Sequence, residues 1–213
     1  MIRLDIFADP ACPWCYLGKA NLDRALESRA DHPFLLEWHP FQLNPGMPRD
    51  GVPRADHLLR IFGTQSRTVE AHLRLAELGR AAGLDFDFEK MTREPNTFDA
   101  LRLIHWAGLE GRQSAMVAAL FRAHWREGRD IGNPEVLADL AQQAGLDRAA
   151  MVRLLASDAD AGPLRDRIHH ARQRGVTSVP TFILADHYVI SGAQSPEFWM
   201  QVMDDLAQQG QVQ

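Results

Sequence analysis

At the start of the chain Ile2, Leu4 and Ile6 alternate with Arg3, Asp5 and Phe7, the period of a half-buried strand. From Pro13 to Ser28, Leu17, Ala20, Leu22, Ala25 and Leu26 include a helical-period apolar face. A second strand is predicted over Phe34–Phe41, giving a strand–helix–strand unit. Asn44 to Pro53 is rich in Pro and Gly and reads as loop. From Ala55 to about Arg174 the pattern is helical throughout, with stops at Gly63, Gly83, Gly111 and Gly132 and starts at Thr97, at Asn133-Pro134 and at Asp147. Short strands Thr181–Leu184 and His187–Ile190, turned at Ala185-Asp186, precede a last helix from Ser195 to about Gln208. The chain therefore predicts an α/β protein whose strands lie at its two ends and whose middle is helical.

Composition narrows the class. The 213 residues, 46% hydrophobic and 24% charged, match a globular chain and argue against disorder. A formal net charge of −5 gives no general attraction for nucleic acid. The longest apolar runs, such as Phe182 to Ala185, fall far short of the roughly 18 residues of a membrane span. The strand-like opening has no basic segment followed by an apolar signal region, so a cytoplasmic location is expected, where structural disulfides are uncommon.

Both cysteines fall in Ala11-Cys12-Pro13-Trp14-Cys15. Asp9-Pro10 supplies a turn after the first strand, so Cys12 should sit at the mouth of the following helix. A thiol must become a thiolate to attack a disulfide, and a helix N-terminus stabilises negative charge. Pro13 in the first turn costs no hydrogen bond. Cys15, at i+3, shares the face of Cys12. Cys12, nearer the helix start and solvent, is expected to attack; Cys15, one turn in and more shielded, to resolve the mixed disulfide.

Other readings of the pair carry less. A structural zinc site usually takes four ligands and no second cysteine pair exists, while adjacent His169 and His170 point to different sides of a helix; no metal is expected. Two buried, inert thiols are the bland alternative. The second informative stretch is Ser178-Val179-Pro180-Thr181-Phe182-Ile183-Leu184. Pro180 either opens a strand in the trans form or follows a cis bond that presents the Val179 backbone to an extended partner.

The strand–CPWC–helix arrangement, the Val-Pro before a late strand, and the segments Trp38-His39-Pro40-Phe41-Gln42-Leu43-Asn44-Pro45, Pro95-Asn96-Thr97-Phe98-Asp99-Ala100 and Ser191-Gly192-Ala193-Gln194 together resemble the DsbA-like thioredoxin-fold oxidoreductases. Within these the chain looks most like the cytosolic FrnE-type branch, related to 2-hydroxychromene-2-carboxylate isomerases and kappa-class glutathione transferases. The resemblance implies a thioredoxin fold with a large all-helical insertion, divided as residues 1–53, a helical insertion 54–159, and 160–213, with Pro180 in cis.

It also implies thiol–disulfide exchange with a disulfide-containing protein or small molecule, catalysed by Cys12 and Cys15 with Pro13 and Trp14 between them and Val179 and Pro180 facing the substrate. No cofactor is expected beyond the redox-active disulfide, with glutathione as co-substrate or a thioredoxin-type system as electron partner. Asn96 and Thr97 are candidate substrate contacts, because the glutathione-using relatives place an Asn from a comparable helix start near their reactive group; helix capping is their alternative role. The isomerases and transferases typically carry Ser where this chain has Cys12, and need no second thiol. Their activity is the alternative function, and a holdase-type binder without catalysis is a third.

Several further residues are weighed. Glu37 and His39 share a strand face, and either could handle the proton when Cys15 attacks. Trp106, Phe121 and Trp125 are expected in the insertion core. Arg165, Arg167, Arg172 and Arg174 read as a solvated helix face.

Overall fold

A computed structural model describes residues 1–210; the last three residues of the expected third segment lie outside it. Strand β1 (Ile2–Ala8) pairs in parallel with β2 (Phe34–Pro40), and helix α1 (Pro13–Glu27) connects them. After β2 the chain leaves the sheet and returns with β5 (Thr181–Leu184), antiparallel to β1, and β6 (Tyr188–Ser191), antiparallel to β5. The sheet order is β2-β1-β5-β6. Between lie α2 (Arg54–Phe62), α3 (Gln65–Ala81), α4 (Phe98–Leu109), α5 (Gln113–Trp125), α6 (Pro134–Gln143), α7 (Arg148–Leu155) and α8 (Ala161–Gln173); α9 (Pro196–Gly210) follows β6. This is the expected α/β architecture, a thioredoxin fold with a helical insertion.

The strand β1 is not half-buried as its alternation suggests. Leu4 and Ile6 are buried, and so are Asp5 and Phe7 on the opposite face, because α1 and α9 pack together on one side while α8 lies against β2. Under the sheet, Trp199 of α9 meets Phe182 edge to face at 4.8 Å and Phe34 at 6.4 Å. Such aromatic contacts add roughly 0.5–1.5 kcal/mol each beyond area burial.

The insertion differs from the sequence expectation in one region. The expected stop at Gly83 and start at Thr97 match the end of α3 at Ala81 and the beginning of α4 at Phe98, but the stretch between them carries a short strand that was not expected. Phe86 and Phe88, separated by Asp87, stack on each other at 5.3 Å and both meet Trp125 edge to face. An i, i+2 aromatic pair on one side is extended-chain geometry, and Pro95 bars helix immediately before itself. In that break β4 (Arg93–Glu94) forms a two-residue antiparallel ladder with β3 (Val52–Pro53), so the predicted 44–53 loop ends in a strand. Helix α5 likewise stops at Trp125 rather than running to Gly132, and the turn is made at Gly128, whose φ is +68°. A left-handed φ is open to Gly at no steric cost.

The insertion aromatics are core as expected. Trp106, Phe121 and Trp125 are all buried, and Trp125 also donates its indole N–H to the Pro10 carbonyl at 3.0 Å.

Candidate active site

Asp9, Pro10 and Ala11 turn the chain from β1 into α1. The Cys12 N–H donates to the Asp9 carbonyl at 2.9 Å, and the Ala11 N–H to Asp9 Oδ1 at 3.0 Å. This Asx-type turn delivers Cys12 as the N-cap of α1, with extended backbone (φ −94°, ψ 115°), no side-chain cap bond, and Pro13 in the first turn. The Cys12 carbonyl accepts from Cys15 N at 3.1 Å and Tyr16 N at 3.2 Å. With no acidic residue in that first turn, nothing there opposes negative charge on the cap sulfur.

Both cysteines are free thiols. Cys15 is 1% exposed, and Cys12, expected near solvent, is only 3% exposed. The reason is the late loop laid over it: the Cys12 thiol donates to the Val179 carbonyl at 3.5 Å. Trp14, at 40% exposed, is the solvent-facing member of the motif. The Val179–Pro180 bond is cis. Pro180 rests against α1 at Gly18, where an added Cβ would lie 3.0 Å from the proline ring.

Burial pushes the Cys15 thiol well up, and neighbouring Cys12 adds to the effect, while a backbone hydrogen bond from Asp9 works the other way. A buried dithiol of this kind releases its second proton only to a nearby base.

Asp9, on the turn before Cys12, was not among the sequence candidates. Asp9 is buried, accepting at Oδ2 from Leu43 N at 2.7 Å and from the Thr97 hydroxyl at 3.3 Å, besides the Ala11 bond at Oδ1. Burial raises its pKa to about 6 in spite of these bonds. The only signal in the sequence is its place three residues before Cys12. Glu37 and His39 are engaged elsewhere: His39 Nε2 lies 2.6 Å from Asp5 Oδ1 and 3.7 Å from Glu37 Oε1. These three side chains cluster within 4.8 Å, but Arg3 already donates to Asp5 Oδ2 at 3.0 Å, and the cluster is read as an ion-paired network.

Asn96 and Thr97 do different things. Asn96 donates to the Met47 carbonyl at 2.7 Å and accepts from Gln42 Nε2 at 3.0 Å and from Phe98 N at 2.9 Å. Asn96 thus holds the 42–47 loop and satisfies a first-turn N–H of α4. Thr97, the N-cap residue, makes no side-chain cap bond; it is buried behind the site with its hydroxyl on Asp9, which removes it from direct substrate contact.

A cleft of about 590 Å³ opens beside this wall, lined among others by Gln42, Asn96, Phe98, Arg165 and Arg172. Neither cysteine lines it among the described residues. Arg165 and Arg172 are not simply solvated, as expected: Arg165 lies over the Phe98 ring at 4.8 Å and Arg172 over Phe41 at 4.4 Å.

The chain and its fold are similar to those of known proteins. A solved structure from Streptomyces coelicolor, described as the probable DsbA oxidoreductase SCO1869, is 33% identical and superposes with a TM-score of 0.86, covering 96% of this chain and 89% of that one. A 2-hydroxychromene-2-carboxylate isomerase of Pseudomonas sp. (strain C18) is 23% identical over 191 residues, 87% of this chain and 83% of the relative. The cytosolic disulfide reductase DsbM of Pseudomonas aeruginosa, solved with GSH, shares the fold at 24% identity and a TM-score of 0.69, covering 97% and 99% of the two chains. The DSBA-like thioredoxin domain model matches residues 3–204, and the chain belongs to the DSBA-like thioredoxin domain family.

Proposed function

We propose that this protein is a thiol–disulfide oxidoreductase whose working group is the Cys12–Cys15 dithiol. The observation that carries the reading is the position of Cys12: it caps the N-terminus of α1 while its thiol faces the Val179 carbonyl at 3.5 Å, with Cys15 one turn deeper. The Cys12 thiolate attacks one sulfur of a substrate disulfide; that S–S bond breaks and the departing sulfur leaves as thiolate. Substrate binds beside Val179-Pro180, where an extended segment can pair with the loop backbone once it displaces the Cys12 thiol from the Val179 carbonyl. Cys15 gives its proton to the Asp9 carboxylate and attacks the Cys12 sulfur, releasing the second substrate sulfur as thiolate. The dithiol is thereby oxidised by two electrons and the substrate disulfide reduced by two.

Nothing after Cys15 is a cysteine, so no internal relay operates and electrons pass to or from a separate dithiol or glutathione. The GSH bound by DsbM supports glutathione in that role, and the description of DsbM as cytosolic supports a cytoplasmic location. Trp14 stands where the periplasmic oxidants often carry His, and a less oxidising potential than roughly −120 mV is expected.

The test is to equilibrate the protein across glutathione redox buffers, quench with acid, and read the species by intact mass. A cooperative two-electron passage from dithiol to internal disulfide is expected. Persistent glutathione adducts with no internal disulfide at any poise would remove Cys15 from the mechanism and favour the isomerase chemistry of the second relative.

A further inference from the structure

We propose that the cleft bounded by α4, α8 and the 42–49 loop binds a small organic dianion, its two carboxylates taken by Arg165 and Arg172. Its volume of about 590 Å³ lies within the roughly 300–1,000 Å³ of small-molecule sites. Arg165 and Arg172 stand seven residues apart on α8, two turns along the same face, which separates them by roughly 10 Å of helix rise. Each guanidinium carbon lies over an aromatic ring, Phe98 at 4.8 Å or Phe41 at 4.4 Å from the centroid. That contact restrains the side chain, while its N–H groups suit a planar oxyanion better than a lysine would. One such N–H of Arg172 reaches the Gln42 carbonyl at 2.5 Å, so the group is already positioned.

The charge on the cleft wall favours an anion. Arg49, Arg165 and Arg172 make no ion pair among the described residues. Of the two carboxylates on the wall, Asp99 is taken by Arg102 at 2.9 Å, and the other Arg102 donors go to the carbonyls of Leu154, Ser157 and Ala159. Only Asp158 remains to oppose three arginines. This local excess of two positive charges stands out on a chain whose formal net charge is −5, so attraction for an anion is confined to short range at the cleft. Phe98, Ile168 and Ala161 add apolar wall, which suits an aliphatic spacer between the two carboxylates.

The cleft also touches the machinery behind the dithiol. Asn96 lines it, while its neighbour Thr97 and Leu43, next to Gln42, both bond Asp9. Binding itself uses neither cysteine, so this inference stands or falls separately from the exchange chemistry.

The test is calorimetric titration of the full chain with suberate, an eight-carbon dicarboxylate, against the uncharged suberamide and the short dicarboxylate malonate at matched ionic strength. Suberate is expected to bind at least tenfold more tightly than either control. Arg165→Gln and Arg172→Gln should each weaken it about tenfold, as loss of a charge-assisted pair does. Cys12→Ser should bind suberate as the parent does. Equal binding of malonate and suberate, equal binding by the arginine variants, or no heat with suberate would overturn the proposal. Should Arg172→Gln fold poorly through loss of its Gln42 bond, Arg165→Gln decides alone, since the Arg165 side chain contributes only the Phe98 contact and the cleft.

Discussion

Trp125 and Pro10, 115 residues apart, are joined by one buried hydrogen bond of 3.0 Å from the indole N–H to the prolyl carbonyl. It ties the end of α5 to the turn that delivers Cys12, so the helical insertion supports the start of α1. Trp125→Phe should leave the Pro10 carbonyl without its partner, at a cost of about 1–3 kcal/mol. Urea unfolding measures the loss, and an unchanged midpoint would show that the bond contributes nothing.

Cys15→Ser separates attack from resolution. In glutathione redox buffers this variant is expected to accumulate a mixed disulfide at Cys12, seen by intact mass, while Cys12→Ser accumulates neither adduct nor internal disulfide. Equal adduct levels in the two variants would assign the nucleophile wrongly.

Asp9 makes stability depend on pH in a definite direction. Its pKa is raised from 3.8 to about 6 in the folded protein, so the folded state holds this proton more tightly than the unfolded chain. Stability from this group is therefore greatest below about pH 4, falls as pH rises, and levels off above about 6. At about 1.4 kcal/mol per unit the fall reaches up to about 3 kcal/mol. Asp9→Asn should remove that part of the slope in chemical denaturation between pH 4 and 6. Glu94, raised to about 7 by burial against the pull of Arg54 and with a further push from Asp9, contributes a slope of the same sign, which the variant reduces but does not abolish. Superimposable pH profiles would assign the titration to another group.

Gly79→Ala inverts the usual helix expectation. Alanine in an exposed helix gains roughly 0.5–1 kcal/mol over glycine, but here an added Cβ would lie 2.6 Å from the Phe86 ring. Displacing that ring disturbs its stack on Phe88 and its edge contacts with Tyr16 and Trp125, and overpacking costs about 1–3 kcal/mol. A net loss of about 1–2 kcal/mol is expected by thermal unfolding, partly recovered when Phe86→Leu is added. Stabilisation by Gly79→Ala alone would contradict the tight packing.

The sequence made the reactive pair and its helix legible because the determinants are local: a turn signal, a proline in the first turn and an i+3 spacing all lie within seven residues. The strands at both ends were legible for the same reason. The break between α3 and α4 was legible at its ends, from Gly83 and Thr97, but the strand inside it was hidden, because β4 pairs with β3 and Phe86 and Phe88 pack on Trp125, all remote in sequence. Asp9 was hidden for a related reason. An aspartate before a proline reads as a turn residue, and its raised pKa comes from burial, which outweighs the lowering hydrogen bonds from Leu43 and Thr97 and which no short-range pattern reports. Glu37 and His39 were preferred because they alternate visibly on a strand, yet their partner is Asp5 across the β1–β2 ladder.

The contact between the Cys12 thiol and the Val179 carbonyl spans 167 positions, and it orders events during synthesis. Cys12 is synthesised well before the loop that covers it, so α1 can form before Val179 exists to accept from the thiol. A chain truncated before β5 lacks that contact, and its Cys12 is expected to react faster with a thiol probe than that of the full chain.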